Sequence, residues 1–186
     1  MKTRLATLLV LLTVPTGLVA CDKHETAVGE TEGVYVSVDG LKYQVQISRQ
    51  LNPDNEEDRE YLHGLEGADA KLGAGQEWFA VFLRVQNQKK DGRAIKSASE
   101  FLIEDTTGAE FEPVELSAEA NAHAYSPQRL APETKYPSMD VTAGSSTAQG
   151  AMVLFRIPGP ALDNRPLEFH IASPTGKGDA VVDLDI

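Results

Sequence analysis

The chain reads as an all-β protein, a two-sheet antiparallel β-sandwich carrying two long loops, and three observations predict it. Apolar and polar residues alternate with a period of two through most of 33–186. An Asp39-Gly40 step separates the first two alternating runs, and such a step is a strong hairpin signal. Turn residues (Gly, Pro, Asn, Asp) bound the later runs, which gives about eight strands in all.

The first twenty residues stand apart from this pattern. Lys2 and Arg4 precede an apolar run from Leu5 to Val14, and Pro15 and Gly17 then interrupt it. The run is shorter than the ~20 residues that span a bilayer, so an export signal is the better reading. Leu18-Val19-Ala20-Cys21 follows and resembles the bacterial lipobox. That resemblance implies cleavage before Cys21 and diacylglyceryl transfer to its sulfur. The expected arrangement is a lipoprotein signal peptide over 1–20, a flexible tether over 21–32 and a single domain over 33–186. The tether assignment rests on the near absence of core-forming residues between Asp22 and Glu32.

Cys21 is the chain's one cysteine, so an intramolecular disulfide is excluded and stability must come from the core. The net charge is −11, and losing Lys2 and Arg4 with the signal would bring it to −13. Such acidity speaks against nucleic acid and against adhesion to anionic lipid through basic patches. Membrane affinity would rest on the acyl groups, which implies the extracytoplasmic face of the cell membrane.

Within the domain, Val34, Val36 and Val38 face Leu41, Tyr43 and Val45 across Asp39-Gly40, with Ile47 continuing the second stripe. Trp78 to Gln86 alternates through Phe79, Val81, Leu83 and Val85, with Trp78, Ala80 and Phe82 on its other side. This pattern predicts a central strand with a second element near its far face. Phe101 and Ile103 lead into an Asp105-to-Gly108 turn, after which Phe111 returns. Ala151 to Ile157 form a stripe stopped by Pro158 and Pro160. Leu167, Phe169 and Ile171 form the next, and Val182, Leu184 and Ile186 the last, with Asp183 and Asp185 facing water.

Residues 49–76 and 115–147 are longer than ordinary strand connections, and long loops often carry function. Asp54, with Glu57 three residues on, predicts a short capped helix whose Tyr61 and Leu62 cover one end of the sandwich. The candidate interaction residues are Asp54, Tyr61 and His63 on the first loop and His123, Tyr125 and Tyr136 on the second.

A family resemblance rests on three blocks. They are Val81-x-Leu83-x-Val85-x-Asn87, then Phe101-x-Ile103-x-Asp105-x-x-Gly108-x-x-Phe111, then Gly150-x-x-Val153-x-Phe155-x-Ile157-Pro158. Together they resemble the telokin-like, immunoglobulin-like domain of bacterial surface lipoproteins, over roughly 33–172. The resemblance implies an immunoglobulin-like sandwich and assigns no activity, because that family is largely without known function.

No residue pattern here supplies catalysis. Ser145-Ser146 lacks the Gly-x-Ser-x-Gly spacing of a nucleophile elbow, and Gly73-Ala74-Gly75 precedes a strand instead of a phosphate-binding helix. The acidic run Asp54, Glu56, Glu57, Asp58 and Glu60 lacks calcium-loop spacing and reads as a solvated face. His24, His63, His123 and His170 show no paired ligand spacing, with His170 expected at solvent or a sheet edge. Met152 and Trp78 read as core. The chain is therefore expected to be non-enzymatic, with no catalytic residue, metal ligand or cofactor. The expected role is a lipid-anchored protein-interaction module that meets other envelope proteins. The alternative is a lipoprotein that binds a metal ion or small solute for a membrane transporter.

Overall fold

The Asp39-Gly40 step makes the expected hairpin, with φ of 50° and 82° at its two residues, a left-handed pair that glycine tolerates best. It joins β2 (Tyr35–Val38) to β3 (Leu41–Leu51), pairing Val38 with Leu41 and Val36 with Tyr43. The computed structural model describes residues 25–67 and 69–185. The expected signal peptide over 1–20, with Cys21, His24 and Ile186, lies outside the described residues.

Around this hairpin the chain runs β1 (Ala27–Gly29), β2, β3, α1 (Glu56–Tyr61) and β4 (Gln76–Asn87). It continues through β5 (Ile95–Lys96), β6 (Phe101–Glu104), β7 (Glu110–Phe111), β8 (Arg129–Leu130), β9 (Thr134–Tyr136) and α2 (Thr142–Ser145). It closes with β10 (Ala151–Pro158), a 3₁₀ turn at Gly159–Asp163, β11 (Leu167–Ile171) and β12 (Ala180–Leu184). One sheet is ordered β1-β12-β11-β6-β7. The other is ordered β10-β4-β3-β2, with β9 also pairing β4, and β5 and β8 form a small separate ribbon.

The two sheets pack face to face as a β-sandwich. Tyr43, Phe79, Val81, Leu83 and Phe155 come from one sheet, and Ile103, Phe169 and Val182 from the other. These are the residues whose alternation marked the strands. Each large apolar side chain so buried contributes on the order of 1.5–3 kcal/mol. Tyr43 brings a hydroxyl into this core and satisfies it by accepting the Ala98 N–H at 2.7 Å. Burial pushes that phenol up to about 12.

Four expectations need correction. Residues 27–29, placed in the tether, form β1 and pair in parallel with Ala180–Val182 of β12. A three-residue strand ending in glycine carries no alternation to read. Val34 lies outside β2 and is 36% exposed, so the hairpin's burial stops at Val36. Ile47 leaves the Leu41-Tyr43-Val45 stripe, because the β3–β4 register shifts between Val45 and Ile47. Trp78 is buried outside the space between the sheets, in a second core with Leu51, Ala80, Phe82, Met152 and Leu154. That second core is the far face of β4, whose apolar character predicted a covering element. The cover comes from Tyr61, Leu62, Leu65 and Leu72 of the first long connection, Leu116 of the second, and Val114 and Ala148 that flank the second.

Candidate functional site

The two long connections form one layer over the outer face of the β10-β4-β3 sheet. In the first, the Asn52 side chain accepts the Asp54 N–H at 2.9 Å, closing a turn. Asn55 then caps α1, its carbonyl oxygen accepting the Glu57 N–H at 2.9 Å and the Asp58 N–H at 3.4 Å. The sequence placed the cap on Asp54. The turn instead spends that residue before the helix starts, and Asp54 is exposed. Glu56 and Glu57 occupy the first turn and stay solvated, where the helix field favours negative charge.

Asp58 departs from the solvated reading of the acidic run. It points inward and is 4% exposed. One carboxylate oxygen meets the Arg49 guanidinium and the other accepts the Asn52 N–H at 2.8 Å. Arg49 also lies over the Tyr61 ring, 5.7 Å from its centroid. This pair fixes α1 against β3. Tyr61 and Leu62 consequently lie on the sheet's outer face, and not at the end of the sandwich as the sequence suggested.

The second connection runs first along β10, where Val114 donates to Leu154 O at 2.7 Å. It returns to that edge at His123, whose carbonyl accepts the Met152 N–H, and at Tyr125, which donates to Met152 O. Asn121 fastens the two connections together. Its side-chain NH₂ is shared among the carbonyls of Glu60, Tyr61 and His63, at 3.3, 2.9 and 2.8 Å. Its oxygen accepts the His123 N–H at 2.8 Å. The approach is closest at Gly64, where a Cβ would come within 2.7 Å of Ala120.

Between α1 and the 142–149 segment lies an open groove of about 700 Å³. Gln46, Ile47 and Arg49 of β3 line its base. Glu57, Asp58, Glu60 and Tyr61 line one wall, and Thr142 and Ser145–Gln149 the other. Ile47 reaches it, 39% exposed, because the β3 bulge turns its side chain outward. His123 adjoins the groove and is 7% exposed, with its ring against Tyr61 at 4.7 Å between centroids. Its Nδ1 is buried without a hydrogen-bond partner, and burial lowers its pKa. The Ser145 and Ser146 hydroxyls donate to the carbonyls of Val141 and Ala143, at 3.0 and 3.1 Å.

The structure therefore brings Tyr61, His63 and His123 together, His63 Nδ1 lying 3.2 Å from Ala120 O. Tyr125 and Tyr136 sit elsewhere and are taken up in packing. The Tyr125 hydroxyl donates to Ala98 O at 2.8 Å, and its ring packs edge-on against Phe101 and Tyr136. The Tyr136 hydroxyl accepts the Ser126 N–H at 2.9 Å. Gln46, Arg49 and Asn121 were not singled out from sequence. A bulge and a side chain reaching three distant carbonyls leave no motif.

No family model and no curated protein matches the chain. Among solved structures it is similar to an uncharacterized β-sandwich protein from Clostridium difficile 630, at 9% identity and a TM-score of 0.42. That match covers 88% of this chain and 99% of the other. Among the described residues, no helix is long and apolar enough to cross a membrane.

Proposed function

We propose that the protein is a lipid-anchored, extracytoplasmic sandwich of immunoglobulin-like type, acting without catalysis as a protein-interaction module at the cell envelope. One observation carries this reading: residues far apart in sequence are locked into an ordered layer that leaves an open groove. Asn121, Arg49 and Asp58 hold the walls, so the surface is preformed and loses little entropy on binding. Glu57 and Glu60 on one wall, hydroxyls on the other and Ile47 at the base suit an extended polypeptide segment with basic and polar side chains. Ser145 and Ser146 hold their protons on nearby carbonyls, which favours binding over acyl transfer. Acylation of Cys21 would confine the groove to the membrane plane and raise its effective concentration near envelope partners.

Photo-crosslinking in cells tests the module. Probes at Thr147 and Glu57 should capture the same protein neighbour, and a probe at Lys42 should not. Equal capture from all three sites, or none, refutes the assignment. The lipid is read independently, by intact mass of membrane-extracted protein. A free Cys21 thiol on an uncleaved chain overturns the anchoring.

The unpartnered Nδ1 of buried His123 favours a second reading, a small polar solute seated beside Tyr61. A solute that protects the chain from melting, and no longer does so in His123→Phe, would establish it.

A further inference from the structure

The outer face of the other sheet carries a row of opposed carboxylates. Glu110 of β7 pairs with Glu104 of β6, Glu104 with Glu168 of β11, and Glu168 with Asp183 of β12. Directly opposed residues on one face have Cβ atoms about 4.5–5.5 Å apart, and like charges there repel. His170 lies two residues beyond Glu168 on the same face of β11. Its Nε2 is 3.5 Å from a carboxylate oxygen of Glu104 and 3.5 Å from one of Glu168.

That nitrogen is buried and makes no hydrogen bond. Good N–H···O bonds are about 2.9–3.0 Å long, so the imidazole stands off both oxygens. The three donor atoms nevertheless lie within 4.8 Å of one another. A tetrahedral zinc ion with bonds of about 2.0–2.1 Å needs donors roughly 3.3–3.4 Å apart, which small side-chain rotations would supply. We infer that Glu104, Glu168 and His170 form a binding site for a divalent first-row transition-metal ion, zinc foremost.

The donor set decides the class of ion. An imidazole nitrogen suits zinc, nickel or copper, whereas calcium and magnesium take oxygen ligands. Two carboxylates neutralise a dication, and Glu110 and Asp183 add negative potential on either side. Three protein donors leave a fourth position for water or for a donor from a second molecule. The site lies on the sheet opposite the groove and is independent of the proposed interaction.

The test uses the full chain without a histidine tag, stripped with chelator and titrated with Zn²⁺ by calorimetry. Co²⁺ serves as a visible-absorption probe. The expected result is one equivalent of Zn²⁺ bound, with d–d bands from Co²⁺ that Zn²⁺ displaces. His170→Ala and Glu168→Gln should each weaken Zn²⁺ binding at least tenfold, while His63→Ala and His123→Phe leave it unchanged. Metal-free melts of the variants confirm that the fold is intact. Absence of Zn²⁺ binding at millimolar concentration overturns the site. Binding that survives both substitutions, or preference for Ca²⁺ over Zn²⁺, overturns it equally.

Discussion

Val45 and Ile47 lie two residues apart on one strand and face opposite layers of the protein. Val45 pairs with Leu83 inside the sandwich, and Ile47 pairs with Phe82 on the outer side. The extra residue between them, Gln46, reverses the parity of everything downstream. Arg49 and Leu51 thereby face outward, one holding α1 and the other joining the second core. Without the bulge, Arg49 would point into the apolar interior. The groove depends on that single inserted residue.

Lysine at the two positions should separate them. Val45→Lys places an unpaired charge in a fully enclosed core and should abolish folding. Ile47→Lys, at a half-open position, should alter stability by no more than about 0.5 kcal/mol. Thermal melts monitored by circular dichroism distinguish the outcomes.

Asp58→Ala should cost about 1–2 kcal/mol. Breaking a fully buried pair costs more, about 3–5 kcal/mol, but the Arg49 side chain is 36% exposed and water takes up its charge. The loss should be local, seen as faster hydrogen exchange over 52–62 with β4 still protected.

Asn121→Ala should cost about 1–3 kcal/mol, since carbonyls of the first connection lose a shared donor. Limited proteolysis should then cut both connections, near residues 60–66 and 117–122, at matched rates. Cleavage in one without the other would show that Asn121 does not couple them.

Acid stability should depend on Asp105. Hydrogen bonds from the Thr107 and Asn164 side chains hold its carboxyl down at about 2. A depressed folded pKa stabilises fully above the unfolded value of about 3.9 and is lost as pH falls through the folded one. Asp105→Asn should therefore flatten the fall in melting temperature between about pH 4 and pH 2. An unchanged acid limb would contradict this.

Glu32 has the opposite sign. Burial raises its pKa, and Asp185 nearby adds to the rise. Its favourable contribution is present below the unfolded value of about 4.3 and is lost as pH rises through the folded one. Glu32→Gln keeps the oxygen that accepts from Ser48 and from the Asp185 N–H while removing the charge. The variant should melt higher than wild type at pH 7, with the difference closing near the unfolded pKa. A lower melting temperature at pH 7 would refute the assignment.

What could be read from the chain divides along physical lines. The β2–β3 hairpin was legible because Asp39-Gly40 and the valine-tyrosine alternation independently specify one register. The covered far face of β4 was legible from Trp78, Ala80 and Phe82. The identity of its cover was not, since Leu65 and Leu116 come from stretches with no strand period. The bulge at Gln46 is a backbone event without a side-chain signature, so Ile47 and Arg49 were misplaced or overlooked. Alternation along the strand set His170 outward, but Glu104 and Glu168 were not singled out. Only the β6–β11 register sets them side by side, and no spacing in the sequence encodes that adjacency.

The parallel pairing of β1 with β12 has a mechanical meaning. Were the chain anchored as proposed, tension entering at residue 25 would run along β1 and load the rungs Ala27–Ala180, Val28–Val181 and Gly29–Val182 together in shear instead of peeling them one at a time. A domain held at that end would resist pulling through β12, and β1 would be the first strand to bear the load.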